Sequence, residues 1–190
     1  MASRIRKIPT CLSLQNAQGE NMISFFVPPD NEKAQMRPAG KGYWGVCGPS
    51  TIAVLTEKSV MEIISLWASH FRGFSPWVEM EATLKKLGYA PIVRRRGNKA
   101  REFPNPLTSA AIVRIQWLQN DGTEFYWRAR TPNTHYVLMQ KDPDGEWWIF
   151  CNSWLWFRKN SVKGKAYLKL GYVSSYYELP ETATQLHLNS

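Results

Sequence analysis

A cysteine, a histidine and an asparagine are spaced so that they could form a nucleophilic site. Cys47 lies two residues before Pro49, where the run GYWGVCGPSTIAVLT (42–56) changes from glycine and aromatic residues to an apolar helical pattern. Pro is well suited to the first position of a helix, so a helix is predicted from Pro49. A cysteine attacks carbonyl carbons as the thiolate, which a helix N-terminus and a neighbouring imidazolium both stabilise. Cys47 is therefore the candidate nucleophile.

One of the three histidines is placed to serve this cysteine. His70 follows a predicted helix and His187 lies in a polar tail, so both are predicted to be surface residues. His135 begins a predicted strand, and a hairpin turn at 142–145 (DPDG) brings it roughly opposite Asn152. An imidazole base needs a third group that fixes its tautomer and orientation. The spacing predicts that Asn152 is that group.

Helices precede strands along the chain, which predicts an α+β fold with a mostly antiparallel sheet. A capping box at 59–62 (SVME) predicts a second helix through Trp67. Ser75 is the predicted N-cap of a third helix, with Pro76 at its first position, and Gly88 ends it. Strands are predicted over 22–27, 89–93, 111–118, 124–130, 135–140, 146–151 and 166–173, with the strand 111–118 half-buried because its apolar residues alternate.

Two short runs carry a resemblance to the papain-like cysteine peptidases: CGPS at 47–50 and CNSW at 151–154. In style the chain is closest to the compact bacterial domains that process bacteriocin leaders, which have an element similar to LKKLGY (84–89). The resemblance implies a papain-like domain over 41–178, with the nucleophile at a helix start packed on the sheet. An irregular segment (1–40) would precede it and a tail (179–190) would follow.

The resemblance also implies roles for individual residues. Cys47 would be the nucleophile, His135 the base, Asn152 the orienting group and Trp154 the shield of the His–Asn bond. Gly48 and Trp44, on either side of the nucleophile, would support the site. Cys151 is predicted to point away from Asn152, into the core, because neighbours on a strand alternate.

The chain departs from the family at the oxyanion hole, where a Gln precedes the nucleophile by a few residues. Lys41 stands six residues before Cys47, and the nearest upstream Gln is Gln35. The donors remain open between Gln35, Lys41 and backbone amides, including the amide of Cys47. Loss of one donor costs about 10²- to 10³-fold in turnover. A catalytically degenerate binding protein is therefore the alternative interpretation.

Composition sets the remaining expectations. The chain has 190 residues, 44% hydrophobic and 13% aromatic, which fits one globular domain. Its three cysteines are too few for a disulfide framework, which favours a reducing compartment such as the cytoplasm. Since only a short segment precedes the Cys47 motif, a small intracellular enzyme, bacterial or phage-encoded, is expected. No apolar stretch is long enough to span a membrane, so no membrane association is expected. The Cys and His spacings match no zinc pattern, and neither a metal nor a cofactor is expected.

The net charge of +9, with basic clusters at 4–7 and 93–101, favours an acidic substrate or partner, with nucleic-acid binding a secondary hypothesis. The cluster at 94–96 follows a predicted strand and is expected to be a solvated loop. The functional expectation is a cysteine peptidase acting on a protein or peptide, or a thiol acyl-transferase or amidase with the same fold. The aromatic residues at 147, 148, 150, 154, 156 and 157 are either sheet packing or a wall beside a peptide-binding cleft.

Overall fold

The computed structural model describes residues 46–67, 75–124, 133–151, 155–169 and 171–180, and the backbone alone at 11–15, 21–26, 97, 98 and 155. In chain order its elements are β1 (Cys11–Gln15), β2 (Asn21–Phe26), α1 (Cys47–Thr56), α2 (Val60–Ser65), α3 (Trp77–Lys86), β3 (Ile92–Ala100), β4 (Ala110–Trp117), β5 (Thr134–Lys141), β6 (Trp147–Cys151), β7 (Leu155–Arg158), α4 (Val162–Ala166) and β8 (Gly171–Leu179). No helix among these residues has the length and apolar character needed to cross a bilayer.

The main sheet has six antiparallel strands in the order β3-β8-β4-β5-β6-β7. The strands β1 and β2 form a separate antiparallel ladder. The predicted α+β class with a mostly antiparallel sheet is therefore confirmed. The strand β1 was not predicted: the segment before residue 40 is not wholly irregular, and β2 begins one residue before the predicted 22–27.

Both faces of the sheet are covered, so the prediction of a half-buried strand over 111–118 is wrong. On one face Ile112 packs with apolar residues of α1, α2 and α3, among them Ile52, Ile63 and Leu84. On the other face Val113 and Ile115 pack with Phe103 and with Leu168, which follows α4. Successive side chains of β4 still point to opposite faces of the sheet, but the side chains on both faces lie in apolar surroundings.

Two helix starts differ from the prediction. The helix α1 begins at Cys47 with Val46 as its N-cap, so Pro49 is the third helical residue and not the first. The α3 N-cap is Pro76, and Ser75 is not the capping residue. A proline is tolerated throughout the first turn because the amides there have no intrahelical partner. Sequence therefore located both helices but not their first residues.

The capping box and the end of α3 are as predicted, although α2 ends at Ser65 and does not continue through Trp67. The Ser59 hydroxyl accepts from the Glu62 amide at 3.1 Å while the Glu62 carboxylate accepts from the Ser59 amide at 2.8 Å, which is the predicted capping box. This arrangement lowers the pKa of Glu62, since the hydrogen bonds from the Ser59 backbone and side chain favour the carboxylate. Gly88 follows α3 with φ +86°, as expected of a residue that ends a helix.

The predicted strands 89–93 and 166–173 begin later in the chain than expected. Tyr89 is buried outside any strand, and β3 begins at Ile92 and continues through the arginines to Ala100. After β7 the chain forms α4, capped by the Ser161 hydroxyl, which accepts from the Gly164 amide at 3.1 Å. The strand β8 then runs to Leu179, which is 2% exposed and lies beyond the predicted domain boundary at 178.

The two predicted hairpin turns are present. Gly122 (φ +82°) closes the turn at 119–123, although of the predicted return strand 124–130 only Glu124 is described, bridged to Leu118. In the second turn the Asp142 amide donates to the Glu146 carbonyl at 2.9 Å, which encloses 143–145 as the loop, with Gly145 at φ +83°. A loop of this length with a left-handed third residue is a standard hairpin connection.

Candidate active site

Cys47 is held at the first position of α1, and its residue is only 5% exposed. The helix lies on the sheet face that carries Tyr136 and Leu138 of β5. The next residue, Gly48, packs so closely that a β-carbon there would lie 2.5 Å from the Ser75 β-carbon and 2.6 Å from the Met80 sulfur. Gly48 is therefore closely packed, which fixes the backbone beside Cys47, and its supporting role in a site stays a prediction.

His135 is the second residue of β5, where it is paired with Ile115 of β4. Its half-buried ring stacks on the Trp117 indole, with 6.0 Å between ring centroids and an interplanar angle of 28°. Trp117 in turn lies against Gly171, where a β-carbon would approach the indole to 2.6 Å. The absence of a side chain at Gly171 therefore lets the indole occupy the place that supports the imidazole.

The β5–β6 register brings a second cysteine to His135. Leu138 pairs with Phe150, which differs by one residue from the predicted pairing of position 135 with 152. The reason is the three-residue loop, which moves the centre of the hairpin by half a residue. Cys151, 5% exposed, is a core residue as predicted, but the His135 Nε2 also lies 3.3 Å from its sulfur. This contact was not predicted from the sequence, although Gly145 in the turn was a signal for the three-residue loop.

The two sulfurs determine the charge of His135. Burial disfavours the imidazolium and by itself would lower the pKa of the ring. The attraction of Cys47, hydrogen bonds with the Cys151 and Cys47 side chains, and the attraction of Cys151 outweigh burial and raise the pKa of His135 from 6.5 to about 10. These contributions favour the protonated form of the imidazole, and the influence of Cys47 on its pKa means that the two side chains are near each other. Their pairing as nucleophile and base stays a prediction.

A tyrosine completes the cluster. The Tyr167 hydroxyl donates to the Cys151 sulfur at 2.9 Å. Burial, followed by the Cys151 charge and its hydrogen bond, raises the pKa of Tyr167 above its ordinary value, so the hydroxyl keeps its proton. No sequence motif indicated Tyr167, because it lies in the turn after α4 and reaches Cys151 only through the fold.

A cavity of about 380 Å³ adjoins this cluster. It is lined by Trp117, which stacks on His135, by Tyr167, and by Leu118 and Lys169. Its walls are thus mainly aromatic, with one exposed ammonium group. Trp117 is the residue that joins this cavity to the ring of His135.

Several predicted site residues lie outside the described residues: Asn152, Trp154, Gln35, Lys41 and Trp44. The predicted aromatic wall is not a single surface. Trp147, Trp148, Phe150 and Phe157 are each at most 9% exposed, and Phe150 and Phe157 belong to the two opposite faces of the sheet. Among the described residues no group of His, Cys, Asp and Glu could hold a metal ion.

The basic cluster at 93–101 is on a strand and not in a solvated loop, because Arg94–Arg96 lie in the edge strand β3. Three of its cations have acidic neighbours: Arg94 Nε lies 3.0 Å from Glu178, Arg96 3.9 Å from Glu102 and Lys99 3.1 Å from Glu124. These neighbours reduce the attraction that the cluster alone would exert on an anionic polymer.

The chain was compared with models of protein families and with curated proteins, and it matches none of them.

Proposed function

We propose that this protein is a papain-like thiol amide hydrolase, a cysteine peptidase in which Cys47 is the nucleophile and His135 transfers protons. The observation that carries the proposal is a cysteine at a helix start beside an imidazole whose pKa the neighbouring sulfurs raise. A thiolate is the reactive form of cysteine, and an adjacent imidazolium is the usual means of stabilising it.

The chemistry follows from these two groups. The Cys47 sulfur bonds to the carbonyl carbon of an amide, and the carbonyl electron pair moves to oxygen. The imidazolium of His135 gives its proton to the amine nitrogen as the carbon–nitrogen bond breaks, which leaves a thioester on Cys47. Water then attacks the thioester while the neutral imidazole of His135 takes its proton. The carbon–sulfur bond breaks, the carboxylic acid departs, and the Cys47 thiolate and the His135 imidazolium are restored.

The start of α1 supplies donors for the oxyanion. The first intrahelical hydrogen bond runs from the Ser50 amide to the Val46 carbonyl at 2.9 Å, so the amides of Cys47 and Gly48 precede the helical ladder. An amide at this position can donate to the negative oxygen of a tetrahedral intermediate. The amide of Cys47 thus supports the oxyanion role predicted for it, while side-chain donation by Gln35 or Lys41 stays a prediction.

The cavity beside Trp117 supports a peptide substrate with an acidic or aromatic side chain. Trp117 and Tyr167 offer ring faces to an apolar or aromatic group, and Lys169 offers a cation to a carboxylate. This preference agrees with the net charge of +9, which favours acidic substrates and partners.

Selective alkylation tests the proposal. With iodoacetamide at neutral pH and peptide mapping by mass spectrometry, Cys47 should react faster than Cys11 and Cys151 in the folded protein. In denaturant the three cysteines should react alike, which is the internal control. His135→Ala should remove the selectivity of the folded protein and lower any peptidase turnover by about 10²- to 10⁴-fold. Equal labelling of all three cysteines in the folded protein would contradict the enzyme proposal and favour the degenerate binding protein.

A further inference from the structure

The further inference concerns the group that orients His135, and it rests on the proposed function. An imidazole that serves a nucleophile through one nitrogen is fixed by a partner at the other nitrogen. The resemblance assigns that partner to Asn152. The described residues instead offer a sulfur, because Cys151 lies 3.3 Å from the His135 Nε2.

Strand alternation gives Cys151 a defined place on the sheet. Met139 pairs with Ile149, and side chains two residues apart share a face, so His135 and Cys151 belong to the same face as this pair. The apolar cluster of that face contains Met139, Ile149 and Cys151. The contact is therefore set by the register of the hairpin and does not depend on a flexible side chain.

Tyr167 fixes the sulfur. Its ring lies among three aromatic rings, with centroids 5.2 Å from Phe157, 5.8 Å from Phe103 and 5.8 Å from Trp117. Its hydroxyl donates to the Cys151 sulfur at 2.9 Å. The Cys151 sulfur thus accepts from a fixed donor and also contacts the imidazole.

The geometry points to Cys151 as the group that orients His135, with the Tyr167 hydroxyl holding its sulfur in place. The Cys151 sulfur accepts from the Nε2–H, which leaves the other ring nitrogen, Nδ1, for Cys47. Cys151 and Tyr167 are positioning residues, since they act on the reaction through His135.

The reverse assignment, with Cys151 as the nucleophile, lacks an oxyanion site. Cys151 is the last residue of β6 and pairs with Leu155 of β7, so its backbone belongs to the sheet. Cys47 instead begins a helix, where backbone amides precede the hydrogen-bonded ladder. The two cysteines therefore have different surroundings, which suit them to different roles.

The test uses Tyr167→Phe, Cys151→Ala and Cys151→Ser, with Tyr172→Phe as the matched control. The Tyr172 hydroxyl donates to Glu124 at 2.8 Å, so Tyr172→Phe removes a tyrosine hydrogen bond that lies outside the cluster. Two quantities are measured in the full chain: the pKa of His135 by NMR titration of its ring, and the rate of Cys47 alkylation. Thermal unfolding shows that each variant folds.

We expect Cys151→Ala to lower the pKa of His135 below about 10, since Cys151 is one of the two sulfurs that raise it. Tyr167→Phe should lower it by a smaller amount, because Tyr167 acts only through that sulfur, and Tyr172→Phe should leave it unchanged. Alkylation of Cys47 should slow by about 10- to 100-fold in both variants, as is typical when a group that orients a functional side chain is removed. Cys151→Ser, which keeps an acceptor at the same position, should restore part of both effects. Tyr167→Phe removes a single oxygen and keeps the test valid if Cys151→Ala does not fold.

The outcomes separate this inference from the proposed function. If Cys47 is selectively labelled in the native protein but Tyr167→Phe and Cys151→Ala leave the His135 pKa and the labelling rate unchanged, the orienting role of Cys151 is refuted and the hydrolase proposal stands. If the native protein shows no selective labelling of Cys47, the hydrolase proposal fails, while the His135 titrations still decide whether Cys151 controls the ring. Selective labelling of Cys151 would reverse the two roles and overturn the inference.

Discussion

Gly48→Ala tests the packing that holds Cys47 at the start of α1. The added β-carbon would lie 2.5 Å from the Ser75 β-carbon and 2.6 Å from the Met80 sulfur, whereas ordinary contacts begin at 3.4 Å. Met80 is fully buried, and the Ser75 carbonyl accepts from the Tyr136 hydroxyl at 3.0 Å. Neither neighbour can move without disturbing the packing of α1 and α3 on the sheet.

Two effects of opposite sign decide the outcome. Alanine is favoured over glycine inside a helix by up to about 1 kcal/mol, and less in the first turn. Overpacking of a buried site costs about 1–3 kcal/mol. Since the β-carbon of Ser75 cannot rotate away, we expect the free energy of unfolding to fall by about 1–2 kcal/mol. For a chain of this size that loss corresponds to a decrease in Tm of about 2–8 °C.

Thermal unfolding of Gly48→Ala, Ser75→Gly and the double variant provides the measurement. Ser75→Gly removes the opposing β-carbon, so the double variant should be more stable than the sum of the single changes predicts, by about 0.5–2 kcal/mol. Alkylation of Cys47 should also slow in Gly48→Ala, since the displaced backbone carries the thiol. If Gly48→Ala is as stable as the native protein, helix propensity outweighs the contact and the packing argument is refuted.

Two further predictions concern the β5–β6 hairpin. In an NMR titration, the ring protons of His135 should show no change between about pH 5 and 8. The reason is that the two cysteines raise the pKa of the ring to about 10, so the ring stays protonated. A midpoint near 6.5 would show that the sulfurs do not raise the pKa of His135. Asp142→Ala should lower the free energy of unfolding by about 1–3 kcal/mol in urea denaturation, because its buried carboxylate accepts from the Glu146 amide at 2.8 Å and the Trp148 indole at 2.9 Å. Unchanged stability in Asp142→Ala would mean that these hydrogen bonds contribute nothing net.

The parts of the fold that sequence predicted depend on neighbouring residues. The capping box of Ser59 and Glu62 involves four consecutive residues, and the turn glycines Gly122 and Gly145 adopt positive φ where the pattern indicated turns. The helix that begins at Cys47 was located to within two residues for the same reason. Local hydrogen bonds and backbone preferences fix such features, so a short window of sequence is sufficient.

The candidate site shows where local information ends. Sequence paired Cys47 with His135, because both stand at the start of an element. It did not find Cys151 or Tyr167, because one residue of register decides which side chain in β6 faces the imidazole. Burial of β4 on both faces was also unpredictable, since polar residues such as Gln116, 5% exposed, conceal the second apolar face.

The position of β8 has a consequence for the growing chain. Among the described strands, β3 pairs with β8 alone, and β8 also pairs with β4. β8 nevertheless follows every other described element in sequence. From Ala100, the end of β3, to Gly171, the start of β8, there are 71 residues, which a ribosome adds in about 4–14 s. During that interval β3 has no partner in the main sheet, and its arginines discourage it from pairing with another chain. The sheet that supports His135 is therefore complete only after translation has passed Leu179.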